Sequence, residues 1–394
     1  MPVPYPARVL PFPLPWKSGA KHSAEPPSCI VFFYLPTMNT PYQHIWLEFP
    51  DNKRIPEPHR LDYPARPCHW FELDINQKPN FSEWTGMRRY APLIPFAKSE
   101  SWMGLGEPCT PVETAQFAGQ SIQLKMEYLM PTGSYKDRGT VAMMQHVQQV
   151  GPERIVQDSS GNAGISVAAY AARLGIECRI YVPAGLPASK LKQLNSYGAQ
   201  VRLVEGNREQ VTQALLNELD GAYLGSHVWN PLFLHGTKTF LWELLEQVNQ
   251  GAARWPEEII FPVGNGTLLL GCFLALREMS SAHCLPAPIR LSAAQTTACA
   301  PLLAGTSVDP KPSMAAGIAI GNPPRLTQML HAIQETQGRI LSVSEHEIQE
   351  AAMQLSQQGW YTEYTSAVGL AAWTSAGMPP NVLIPLTGSG LKNP

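Results

Sequence analysis

From about residue 120 onward, short β-rich apolar runs alternate with longer stretches of helical period. Strands are predicted at 123–129, 154–159, 177–183, 200–204, 258–263, 289–294, 339–343 and 381–386. Helices are predicted at 163–174, 189–197, 234–248 and 268–279, and Val141, Ala142, Met144 and Val147 mark another. Ser344 followed by Glu347 has the spacing of a capping box and sets one helix start. Strand and helix in alternation predict the α/β class, with parallel sheets flanked by helices. No internal repeat interrupts the pattern.

The first 70 residues read differently. Fifteen of the 38 prolines lie between Pro2 and Pro67, and no helical or strand period persists there. Such density disfavours helix interiors and sheet ladders alike, so 1–70 is expected to be an irregular Pro-rich extension. It either wraps the body or forms a small domain of its own. Residues 71–115 read as a lead-in that ends in Gly-Leu-Gly-Glu-Pro-Cys-Thr-Pro-Val, 104–112.

Composition narrows the function classes. The 394 residues suffice for a large core, and a net charge of −2 gives no electrostatic footprint for nucleic acid or an anionic membrane. No apolar run reaches the roughly 18 residues of a membrane span, and Cys29–Leu35 lacks the flanks of a secretory signal. Seven scattered cysteines without a Cys-x-x-Cys pair, and histidines without ligand spacing, argue against a disulfide framework and a metal site. A cytoplasmic, metal-free protein acting on a small molecule is expected.

Four stretches carry chemistry. Lys136 follows the turn Pro131-Thr-Gly-Ser134 and opens the run Val141–Val147. An amine placed in a helix's first turn is disfavoured as the ammonium, and the neutral form can attack a carbonyl. The alternative is a surface lysine beside an Asp-Arg pair. Ser159, Ser160, Gly161, Asn162 and Ala163 leave a strand for an Ala-rich helix, whose N-terminal N–H groups suit a carboxylate or phosphate, or form an ordinary N-cap. Gly264, Asn265, Gly266 and Thr267 join a strand to a helix. Their spacing is not that of a dinucleotide or P-loop motif, so a single phosphate fits better than a pyrophosphate. Gly388 and Gly390 flatten the chain after the last strand, with the neutral hydroxyl of Thr387 beside them. Together these match an aldehyde, a ring hydroxyl, a phosphate and a ring nitrogen, the inventory of pyridoxal 5′-phosphate (PLP).

In their order, Pro-Thr-Gly-Ser-Tyr-Lys-Asp-Arg-Gly, Ser-Ser-Gly-Asn-Ala-Gly, Pro-Val-Gly-Asn-Gly-Thr and Thr-Gly-Ser-Gly-Leu-Lys resemble fold type II PLP enzymes of the tryptophan synthase beta superfamily. The branch they resemble is threonine-synthase-like, and Val343-Ser-Glu-His-Glu-Ile and Glu363-Tyr-Thr-Ser-Ala resemble its segments too. The resemblance runs from about 104 to the end. It implies a two-domain fold, with 71–139 and 246–394 as the large PLP-binding domain and 140–245 as a smaller mobile domain that closes over substrate. A homodimer is implied as well. Lys136 would hold the cofactor as a Schiff base and act as acid/base at Cα. Asn162 would face the cofactor hydroxyl, 264–267 its phosphate and Thr387 its pyridine nitrogen. Ser159, Ser160, Gly161 and Ala163 would bind the substrate carboxylate.

The implied reaction is elimination or replacement at Cβ or Cγ of a small amino acid. Threonine synthases carry an arginine after Asn-Pro and before Gly-x-Lys-Thr that binds the substrate phosphate. Phe233 stands there in this chain, and Met130 and Tyr364 replace a usual Asn and Pro. Serine, threonine, diaminopropionate or an O-activated serine is therefore the expected substrate, with His235 or Lys238 as compensating cations for a phosphate. Authentic threonine synthase activity is one alternative, and a catalytically silent binding protein is another.

Overall fold

The computed structural model describes residues 43–48, 53–54, 69–81, 83–159, 161–185, 188–206, 208–219 and 221–392. Its strands are β1 (Gln43–Glu48), β2 (Lys53–Arg54), β3 (His69–Asp74), β4 (Val112–Phe117), β5 (Gln120–Lys125), β6 (Arg154–Gln157), β7 (Glu177–Pro183), β8 (Gln200–Val204), β9 (Ala222–Leu224), β10 (Glu258–Pro262), β11 (Arg290–Thr296), β12 (Ile340–Val343) and β13 (Val382–Pro385). The helices are α1 (Lys136–Val150), α2 (Asn162–Leu174), α3 (Ala188–Ser196), α4 (Arg208–Asn217), α5 (Leu232–Thr237), α6 (Thr239–Asn249), α7 (Thr267–Ser281), α8 (Pro301–Ala304), α9 (Leu326–Glu335), α10 (Glu345–Gln357) and α11 (Tyr364–Ser375).

Two parallel sheets carry the fold, as the alternation of strand and helix requires. One has six strands in the order β12-β11-β10-β13-β5-β4, parallel except for β4; the other has four in the order β8-β7-β6-β9, parallel throughout. The central strands β10 and β13 are apolar and buried along nearly their whole length, since helices cover both faces of the larger sheet. Helix α7 is apolar all round and buried from Thr267 to Leu276, which places it inside the molecule. The capping box forms: Ser344 Oγ accepts from Glu347 N, and Ser344 N donates to Glu347 Oε2 at 2.7 Å.

Several boundaries differ from the sequence expectation. The strand expected at 123–129 begins at Gln120, because β4 and β5 form a hairpin through Ala118 (φ 47°) and Gly119 (φ 79°), both left-handed as a tight two-residue turn requires. Residues Glu127–Leu129 become a 3-10 turn instead. The helix expected at 234–248 is two, α5 and α6, divided at Lys238. There Thr237 Oγ1 and Thr239 Oγ1 donate back to the carbonyls of Leu234 and Gly236, a pattern that bends helices. Within the proline-rich 1–70, β1 and β2 are strands, and β1 pairs antiparallel with β3 to make a third sheet. That run of six residues escapes the prolines at 41 and 50. Trp70, Phe71 and Leu73 of β3 are buried, and Trp70 packs 5.8 Å from Phe273 of α7.

Candidate active site

Three consecutive charged residues at the start of α1 go to three different places, because each residue turns a helix by about 100°. Lys136 points into a cavity of about 240 Å³. Its Nζ lies 3.3 Å from Thr267 Oγ1, 4.6 Å from the centre of the Tyr135 ring and 5.6 Å from that of Phe233. The bland alternative, a surface lysine paired with its neighbours, is not what the fold builds.

Asp137 turns inward and is fully buried, accepting from Thr132 N at 2.6 Å, Thr132 Oγ1 at 2.7 Å and Ser166 Oγ at 2.6 Å. It thereby ties the turn before α1 to α2. Burial pushes its carboxyl up from 3.8 to about 6, against the pull of those donors. The folded state then binds more protons than the unfolded state between these two values. Its contribution to stability is full below 3.8 and lost as pH rises through about 6. Asp137→Asn should remove this dependence, changing the stability difference from wild type by about 2 kcal/mol between pH 4 and pH 7. Urea unfolding of both proteins at the two pH values measures it, and a difference that does not move with pH would reject it.

Arg138 turns to the opposite side, into a buried network. It makes a bidentate pair with Glu127 at 2.7 and 2.8 Å and reaches Glu243 at 3.0 and 3.1 Å. Lys125 Nζ completes the network 2.6 Å from Glu243 Oε1. The two cations hold the Glu243 carboxyl well below the usual carboxylate range despite its burial.

The cavity lies past the C-terminal ends of the parallel strands β6, β10 and β13, where the turns into helices leave backbone groups unpaired. Ser159, Gly161, Asn162 and Ala163 line it from the turn after β6. Gly264, Asn265, Gly266 and Thr267 line it from the turn after β10, and Thr387 from the turn after β13. The fold thus brings Lys136, Ser159, Gly161, Asn162, Ala163, Gly264, Asn265, Gly266, Thr267 and Thr387 to one cavity, while Gly388 and Gly390 do not line it; Ser160 lies outside the described residues. The turn after β10 has no room for a side chain at either glycine. A Cβ on Gly266, whose φ is +69°, would meet Met329 Sδ at 2.1 Å, and one on Gly264 would meet Ile318 Cα at 2.9 Å. Thr387 Oγ1 lies 3.2 Å from Ser366 Oγ.

Sequence reasoning passed over other lining residues. Glu363 accepts from Asn162 Nδ2 at 2.9 and 3.2 Å, and Asn265 Nδ2 sits 3.2 Å from His227 Nε2. Tyr135 OH lies 3.1 Å from Thr267 Oγ1. The segment Glu363-Tyr-Thr-Ser-Ala carried a signal for the first; nothing local marks the others. His235 and Lys238 do not supply a cation to the cavity. Both are fully buried, Lys238 Nζ is 2.6 Å from Glu278 Oε1, and His235 stacks on Phe71 at 4.1 Å.

The family model described as pyridoxal-phosphate dependent enzyme matches residues 104–388, a span that includes all four stretches up to Gly388. The chain belongs to this family. Threonine synthase from Bacillus sp. (strain ULM1) is 30% identical over 322 residues, covering 78% of this chain and 90% of that enzyme. Threonine synthase from Mycobacterium leprae (strain TN) is 29% identical over 336 residues, covering 81% and 91%. Among solved structures, a threonine deaminase from T.th. superposes with a TM-score of 0.62 at 25% identity, covering 71% of this chain and 92% of its own. Serine racemase from Dictyostelium discoideum gives 0.59 at 25% identity, covering 72% and 92%. This PLP-dependent enzyme accordingly has the two-domain fold type II architecture that its motifs resembled, and PLP is its cofactor. Among the described residues, none of its helices is long and apolar enough to cross a membrane.

Proposed function

We propose that this enzyme is a lyase or group-transfer catalyst that eliminates or replaces a group on the β or γ carbon of a small amino acid. The supporting observation is the place of Lys136: among the described residues lining the cavity it is the only lysine or arginine, and it faces the glycine turn that opens α7.

The donor set fits PLP. The backbone N–H groups at the start of the 15-residue α7, with Thr267 Oγ1, would hold the phosphate, and the glycines of that turn let its backbone pack closely on Ile318 and Met329. Asn162 would face the ring hydroxyl, oriented by Glu363. Thr387 would face the ring nitrogen; a hydroxyl cannot keep that nitrogen protonated as a carboxylate would. The bound cofactor supplies an electron sink for the substrate's Cα. Lys136 Nζ removes the Cα proton and returns it. Ser159, Gly161 and Ala163 would hold the substrate carboxylate at the start of α2; the same role proposed for Ser160 falls outside the described residues. The weak sink at Thr387 favours loss of a side-chain group over transamination.

Phe233 bears on the substrate. Its ring is fully buried, packed against Gly139 and beside Lys136 Nζ, where relatives of the threonine-synthase type carry a phosphate-binding arginine. A ring cannot replace a bidentate phosphate contact, and no other arginine or lysine among the described lining residues compensates. Serine, threonine, diaminopropionate or an O-activated serine fits better than phosphohomoserine. Threonine synthase activity is the second reading, favoured by sequence identities of about 30% to such enzymes. A cytoplasmic homodimer, with 140–245 closing over 71–139 and 246–394, belongs to the same proposal.

The test is a panel of these amino acids with the PLP-loaded enzyme, following keto acid, ammonia, phosphate and threonine. Keto acid and ammonia should appear from an unphosphorylated substrate. Efficient release of threonine and phosphate from phosphohomoserine would instead establish the second reading.

A further inference from the structure

Among the described residues nine large apolar side chains stand exposed, and four of them, Met314, Met353, Tyr361 and Tyr364, line one chamber of about 550 Å³. They are 38%, 55%, 53% and 42% exposed. Single exposed apolar residues need no explanation, but several gathered in one concavity mark a place where something binds. The chamber adjoins the cofactor cavity, and both are lined by Gly161, Asn162, Ala316, Gly317, Glu363 and Thr365. Three of these six are glycine or alanine, so little side chain stands between the two spaces. A Cβ on Gly317 would come 2.9 Å from Thr365 Oγ1, which shows how closely the shared residues approach each other.

The side chains are aimed by their elements. Gln349, Ala352, Met353 and Ser356 of α10 line the chamber, and their spacing puts them on one helix face. Ile348, Ala351 and Leu355, on the opposite face, are buried in the core. Met353 therefore projects to the chamber side, where a flexible thioether adapts to varied apolar shapes. The Tyr361 ring lies over Gly390, another lining residue, so closely that a Cβ there would be 2.8 Å from its Cδ1. Charge is scarce. Glu363 and Lys392 are the only charged residues among the described lining, and the Lys392 amine is buried. With a carboxylate on the shared wall and no accessible cation, an anion has nothing to pair with there.

We propose that this chamber holds a second reactant, an uncharged thiol or aromatic amine with an apolar, ring-bearing body, and that the enzyme carries out replacement with it. Tyr361, Tyr364, Met314 and Met353 bind the body, while the reactive atom enters the cofactor cavity past Gly317. In the exchange the leaving group departs with the electron pair of its bond to Cβ or Cγ. A lone pair of the incoming sulfur or nitrogen makes the new bond to that carbon, and its proton departs with the leaving group. This rests on the amino-acid reading above for the first reactant, and narrows elimination or replacement to replacement.

Binding is tested without turnover, by ligand-observed NMR of benzyl alcohol titrated into the PLP-loaded full chain. Met353→Glu, at an exposed position, should weaken binding about tenfold. Leu203→Glu, an equally exposed apolar site on the edge strand β8, should leave it unchanged. Cofactor absorption shows that each variant is folded. Benzyl mercaptan, supplied with the amino acid that reacts in the panel above, should give an S-benzyl amino acid by mass spectrometry. Met353→Glu should raise KM for the thiol and keep kcat at saturation, whereas a merely structural fault lowers kcat. No binding of benzyl alcohol by wild type, or equal binding by wild type and Met353→Glu, overturns the proposal; keto acid release alongside that result would leave the amino-acid reading standing. Binding that depends on Met353 in a protein inactive on every amino acid would support the chamber and remove the activity reading.

Discussion

Lys136→Ala is expected to leave a folded chain whose turnover of any amino-acid substrate falls by about 10³-fold or more, because acid/base transfer and covalent attachment of the cofactor both depend on one amine. The side chain contributes little to stability. Among the described residues its amine makes one long hydrogen bond, 3.3 Å to Thr267 Oγ1, beside the rings of Tyr135 and Phe233, and lies outside the buried network around Arg138. Unfolding free energy should therefore change little while activity collapses. Borohydride reduction followed by mass spectrometry supplies a second readout: wild type should retain a vitamin B6-derived mass on the peptide containing residue 136, and the alanine variant none. A variant that stays coloured after reduction and dialysis, or that keeps wild-type turnover, would remove Lys136 from the chemistry. Lys136→Arg separates charge from nucleophilicity, since a guanidinium stays protonated; it should be as inactive as alanine.

The second large effect is on stability. Arg138→Met should lower the free energy of unfolding by about 3–5 kcal/mol, because it leaves Glu127 and Glu243 buried with Lys125 as their single cation. The same substitution removes donors from Thr110 and Thr239, at 3.1 Å each. Arg138→Lys should recover only part of the loss, since an ammonium cannot reproduce the fork on Glu127. Adding Glu127→Gln to Arg138→Met should recover more, by removing one of the stranded charges. Chemical denaturation of the three variants at neutral pH measures this order. A loss below about 1 kcal/mol for Arg138→Met would show that the network is decorative. Because Arg138 stands two residues after Lys136 on α1, the network also fixes the helix start from which the amine projects.

Much of this was readable along the chain. The strands at 177–183 and 200–204 were legible to the residue, since each is a compact β-rich run between turn residues. The capping box at Ser344 needed only local spacing. Other elements escaped for equally local reasons. β9 is three residues long, too short to show a period. β4 is an exposed edge carrying Glu113, Thr114 and Gln116, with little apolar signal. β1 is six residues in a proline-rich region whose average hides it.

The four motifs, their order and the residue types they offer follow from the amino-acid sequence alone, because turns, helix starts and glycine cradles are specified by neighbours within a few positions. That 136, 162, 264–267 and 387 surround one cavity follows along the chain only from shared chemistry; the fold makes it so, with β10 and β13 neighbours in one sheet and the turn after β6 of the other sheet facing their ends. The tertiary structure also decided what the neighbours of Lys136 do, sending Asp137 and Arg138 into the core while the lysine faces the cavity. It likewise brought Glu363 to Asn162 across 201 residues and sealed His235 and Lys238 away from the site. The physical reason is range: a side chain's direction is set by its own helix, but its partner is set by whatever the fold packs against that face.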